Sequence, residues 1–150
     1  MFRGLSIALG LCILLVSGIA SAENKKDIVT KMMNDAIAHY EKVGQDQAFK
    51  DFGVKDGDFN HGEYYIFITE FESGALVFHG ANEKLVGKNL GKLKDTDGKL
   101  FVADMRKLAE DKGEGWVDYK WPHAVTKKIT QKHTYVKTAG KVYFGIGYSD

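Results

Sequence analysis

Apolar residues recur every three to four positions over residues 27–43. Ile28, Met32, Ala36 and Tyr40 step by four, with Val29, Met33 and Ile37 beside them. That spacing predicts a long helix with one wide apolar face, stopped by Gly44. Gln45–Phe52 predicts a short second helix turned inward through Ala48, Phe49 and Phe52, with Gly53 as its stop. Asp56-Gly57-Asp58 is a turn. The period then falls to two. Residues 63–70 and 75–79 read as strands, joined through Glu72-Ser73-Gly74. A glycine-punctuated loop with room for one short helical turn fills 80–94. Helical spacing returns after Asp97-Gly98. Phe101, Met105, Leu108 and Ala109 mark the core stripe of a helix over 99–112, and Gly113 ends it.

The last third, 113–150, changes character. Two Trp, four Tyr and one Phe stand among small, β-branched and charged residues, with the chain's one proline, Pro122, in their midst. Such residues fit the pleated surface of a sheet. The stretch divides into strands at 115–121, 131–138 and 141–148. In the last of these Gly145 and Gly147 share one face, and Phe144, Ile146 and Tyr148 share the other. Glycines inside a strand leave a hollow or let another group approach closely. The order helix, two strands, helix, three strands predicts an α+β fold. It has a five-stranded antiparallel sheet, a long N-terminal helix on one face, and a second helix between strands 2 and 3 on the other. A pocket is expected between the sheet and that second layer.

Residues 1–22 have the build of a secretory signal: Arg3, an apolar run from Leu5 to Val16, and a small-residue site at Ala20-Ser21-Ala22. The run is short for a membrane span, which needs about 20 apolar residues. Cleavage after Ala22 would export residues 23–150 to the periplasm as one domain. It would remove the chain's one cysteine, Cys12. Removing Arg3 from the 21 basic residues leaves 20 against 20 acidic. A balanced charge gives no reason to expect nucleic acid as a partner, and a chain without cysteine relies on its core rather than on disulfides.

Catalytic and metal patterns are missing. The five histidines form no H-x-H or H-x-x-x-H pair, and no G-x-S-x-G elbow occurs. Asp95-Thr96-Asp97-Gly98 opens like a calcium loop, but Arg106 stands where the twelfth-position Glu belongs. The tetrapeptide reads instead as a turn with Asp97 capping the following helix. The reading is therefore non-enzymatic, with no cofactor and no metal. The binding candidates are Trp116, Tyr119, Trp121, Lys132, Tyr135 and His79. Tyr119 and Trp121 share one strand face and Trp116 takes the other, so at least one tryptophan is core. Lys132 stands out as a lysine in an apolar and aromatic strand, level with Thr134 and Val136 and close to Tyr135. It either snorkels at the sheet edge or offers a cation to a carboxylate in an apolar pocket.

The strings GWVDYKWP, KHTYVK and FGIGY, and upstream GEYYIFITEFESGALVFHGANEKLVGKNLGKLKDTDGKLF, resemble the single Cache domain (sCache) family. These are PAS-like extracytoplasmic sensor domains of bacteria. The resemblance runs from about Asp27 to the end. One departure is His79-Gly80, where the family often has His-Pro. The resemblance implies binding of a small organic acid such as acetate, propionate, lactate or pyruvate, and coupling to a membrane receptor or kinase, as in chemotaxis. It also implies a homodimer formed through the N-terminal helix. Lys132-His133-Thr134-Tyr135 matches the family's K-x-T-Y string. The alternative function is a periplasmic protein-interaction module, an inhibitor or assembly factor, without a ligand cavity.

Overall fold

The computed structural model describes residues 17–150. The apolar run of the predicted signal, Leu5 to Val16, lies outside them. Helix α1 spans Ser17–Val43, so it begins ten residues before the predicted start. Its buried side is Val29, Met32, Met33 and Ala36. Ile28 is left at the margin, because the stripe centres one residue further along. Helix α2 is Gln45–Phe52, with Ala48 and Phe52 fully buried.

The strands are β1 (Asn60–His61), β2 (Tyr64–Glu70), β3 (Leu76–His79), β4 (Glu114–Pro122), β5 (Ile129–Ala139) and β6 (Val142–Ser149). They form one antiparallel sheet in the order β1-β2-β6-β5-β4, with β3 also on β2. The sixth strand, absent from the predicted five, is β1. Its two residues pair with Tyr64 and Tyr65, too short a run to carry a period. The last strand in sequence is central in space, and every residue of β6 is buried.

The two faces of the sheet carry two cores. On one, α1 and α2 pack against Ile66, Ile68, Phe144, Ile146 and Tyr148. On the other, helix α3 (Phe101–Lys112) packs Phe101, Met105 and Ala109 against Val117, Tyr119, Val136 and Tyr143. Gly113 closes α3 in the left-handed conformation, φ 78°, which glycine adopts without Cβ strain.

The predicted cap of α3 is corrected. The helix starts at Phe101, and no side chain caps its first turn. Asp95, not Asp97, is the acceptor: its carboxylate takes the N–H groups of Asp97 (2.9 Å), Lys99 (2.9 Å) and Lys120 (3.0 Å). An Asp two residues before an N–H closes an Asx turn. Here the second carboxylate oxygen also reaches β4, so the turn is pinned to the sheet.

Candidate functional site

The site is built on one face of the sheet. Tyr65, Phe67 and Thr69 alternate along β2 toward α3, and Tyr119 and Trp121 do the same on β4. From β3 come both Leu76 and His79, three positions apart, which a regular strand would turn to opposite faces. A register shift lies between the pairs Ile68↔Phe78 and Thr69↔Leu76. This bulge inserts one residue and restores both side chains to the same side. The loop after β3 covers the face. Its backbone binds the outer edge of β3 through Gly87 N–H to Leu76 O (2.7 Å) and Leu76 N–H to Lys88 O (3.0 Å). That brings Leu85, Leu90 and Leu93 over the sheet. With Phe101, Val102 and Met105 of α3 they close a cavity of about 40 Å³. A wider depression of about 390 Å³ adjoins it, sharing Tyr65, His79, Leu85 and Trp121 and reaching His123 and Lys127 on the β4–β5 turn.

Lys132 does not line this cavity but stands behind its wall, reaching it through Tyr65. It is 2% exposed, so it does not snorkel to the sheet edge. Its Nζ donates to the Tyr65 hydroxyl at 2.8 Å and stands 4.3 Å from the Tyr65 ring centroid. Among the described residues no carboxylate pairs with it. Since the Tyr65 oxygen accepts from Lys132, its own hydrogen is free to point into the cavity. Tyr119 Oη and Thr134 Oγ1 are 3.0 Å apart and buried. Burial, and then the neighbouring Tyr65, hold the Tyr119 hydroxyl protonated far above the usual phenol range.

His79 is set by its backbone neighbours. Its Nδ1 accepts N–H bonds from Ala81 (3.2 Å) and Asn82 (3.0 Å). A neutral ring accepting at Nδ1 carries its proton at Nε2. Burial, followed by the charge of Lys132, lowers its pKa from 6.5 to about 4. At neutral pH, His79 is therefore an uncharged N–H donor. The site combines three neutral hydrogen-bonding groups, Tyr65, Tyr119 and His79, in an apolar shell, with the buried Lys132 amine behind Tyr65. Such groups can hydrogen-bond to a small anion.

The six predicted residues divide between the faces. His79, Tyr119 and Trp121 line the cavity, and Lys132 stands behind its wall, bonded to Tyr65. Trp116 and Tyr135 do neither. They stand on the α1 side, ring centroids 5.2 Å apart. Residues 132 and 135 differ by an odd number along one strand, so proximity in sequence puts them on opposite faces. The Tyr135 hydroxyl is committed to Glu114. Its pKa is pushed up to about 12, by burial first and Glu114 second.

At the two glycines of β6 other groups approach closely, the second of the two expected outcomes. A Cβ on Gly145 would overlap the ring tip of Phe67, and one on Gly147 would meet Thr134 and the stem of Lys132. The Gly145 hollow is filled by Phe67, which lines the cavity, and the Gly147 hollow by Thr134 and Lys132, which do not. Tyr65 and Phe67 went unnamed as site residues. The signal was the alternation of 65, 67 and 69 with 64, 66 and 68, which assigns two faces without saying which is the pocket.

A family model for the Cache domain, dCache_2, matches residues 52–150. The chain belongs to the Cache domain family. Among curated proteins it is 28% identical over 79 residues to the methyl-accepting chemotaxis protein McpP of Pseudomonas putida. That match covers 53% of this chain and 14% of that protein. Among solved structures, a methyl-accepting chemotaxis protein from Vibrio parahaemolyticus superposes with TM-score 0.74 at 16% identity, covering 87% of this chain and 91% of that one. A Cache chemosensory domain studied for carboxylic acid recognition superposes with TM-score 0.69 at 23% identity, covering 87% and 93%. These likenesses carry the fold.

Proposed function

We propose that this chain is an extracytoplasmic sensor domain that binds a small organic carboxylate and reports it to a separate membrane receptor or kinase. The observation that carries the reading is Lys132. An amine 2% exposed, without a carboxylate partner among the described residues, is costly to bury as a cation. A ligand carboxylate would supply the missing charge, with Tyr65, Tyr119 and His79 as neutral donors around it. Family membership points the same way. A structural relative studied for carboxylic acid recognition, 23% identical, fits the same reading.

Size narrows the class. A water needs roughly 10–15 Å³ of such space, so about 40 Å³ suits a ligand of only a few non-hydrogen atoms. Monocarboxylates of two to four carbons fit this description. Export through residues 1–22, with cleavage after Ala22, would place the domain where such nutrients are met.

The test is thermal melting against a panel of two- to four-carbon acids, amino acids and amines. A ligand that binds the native state alone raises the melting temperature with concentration. The proposal expects the shift from the acids. A response confined to amines would refute it, and no response from any compound would refute it and favour the protein-interaction module.

A further inference from the structure

We infer that Phe67, seated in the notch left by Gly145, sets the length of the ligand's hydrocarbon tail; this rests on the carboxylate reading above. Tyr65, Phe67 and Thr69 follow one another along the cavity face of β2, about 7 Å apart from one to the next. A carboxylate held beside Tyr65 and His79 therefore directs its tail past Phe67 toward Thr69 and Met105. Phe67 pairs with Gly145 across the β2–β6 ladder. Its ring tip occupies the space where any Cβ at 145 would stand. The ring thus lies down over the sheet and forms the cavity floor. Its position depends on the residue beneath it.

Two substitutions should then act in opposite directions. Phe67→Ala removes the ring and opens the glycine notch beneath it to the cavity. In other proteins, a large-to-small core change has left a dry space on the order of 150 Å³ that admits a benzene-sized guest. Gly145→Ala should lift the ring off the sheet into a cavity of only about 40 Å³. The double variant Phe67→Ala/Gly145→Ala removes that overlap.

The experiment is calorimetric titration of each purified variant, its fold checked by circular dichroism, with straight-chain monocarboxylates of two to eight carbons. Wild type should bind best at two to four carbons and lose affinity beyond. Phe67→Ala should move the optimum to six or more, gaining about fourfold per added methylene. Gly145→Ala should lose the short acids, and the double variant should regain binding. Should the alanine variants not fold, Phe67→Leu makes the same prediction with a smaller shift. An unchanged optimum in folded Phe67→Ala or Phe67→Leu overturns the inference while leaving the carboxylate reading intact. Wild type that binds no acid of any length overturns both.

Discussion

At the scale of single residues, the site turns on polar groups held in fixed states. His79 is the clearest. Its pKa of about 4 in the fold, against an ordinary 6.5, means that the unfolded chain binds its proton first as pH falls. The stability associated with neutral His79 is therefore complete above about 6.5 and is lost as pH falls toward 4. The slope reaches about 1.4 kcal/mol per pH unit. His79→Asn keeps an acceptor near Nδ1 and removes the titration. Urea unfolding at pH 7 and pH 5 should show wild type losing on the order of 2 kcal/mol more than the variant between the two conditions. Equal losses would mean that His79 is not held neutral by burial. Lys132 and His79 were legible in the sequence because each is a polar residue in an apolar strand. Tyr65 was not. What distinguishes it from Tyr64 is a hydrogen bond to a residue 67 positions away, and no local pattern encodes that.

At the scale of elements, periodicity located every helix and every strand but β1, and the errors fall at their ends and faces. Strand alternation correctly split Trp116 from Tyr119 and Trp121. Applied to 132 and 135, it would have parted Tyr135 from Lys132 as well. The β3 bulge could not be read, since a register shift belongs to a pair of strands and not to one. The turn before α3 shows the same limit: Asp95 and Asp97 both suit a cap, and the choice depends on the Lys120 N–H of a distant strand. That bond leads the causes holding the Asp95 carboxyl below its ordinary range. Asp95→Ala should lower the melting temperature clearly, and Asp97→Ala should change it little. Calorimetry of the two variants decides between them, and the reverse order would restore Asp97 as the anchor. The Asp95 contribution is present above about pH 3.8 and fades as pH falls through and below it,.

At the scale of the whole molecule, one sheet separates two layers with different work. The α1 face is dry and aromatic, with Phe52, Phe78 and Phe144 packed edge to face. Its polar tips are satisfied locally, as Tyr135 is by Glu114. The α3 face keeps a small space walled by Tyr65, with the buried Lys132 amine behind that wall. Central β6 serves both, presenting Phe144, Ile146 and Tyr148 to one layer and two glycines to the other. Among the described residues no helix is long and apolar enough to cross a membrane. The layer order was readable from the succession of elements. The cavity's size was not, because it depends on how Phe67 fills the Gly145 notch.

Lys132 is proposed to supply the charge for a carboxylate ligand. Lys132→Met keeps most of the stem volume and removes the donor and the charge. Titration calorimetry of wild type and variant with the best acid of the melting panel tests it most directly. The account predicts binding weakened by about 1.5–3 kcal/mol, roughly 10- to 150-fold. The variant should melt at or above the wild-type temperature without ligand, since it no longer buries an amine lacking a carboxylate partner. Equal affinities for the acid would contradict the account and pass the binding role to the neutral donors Tyr65, Tyr119 and His79.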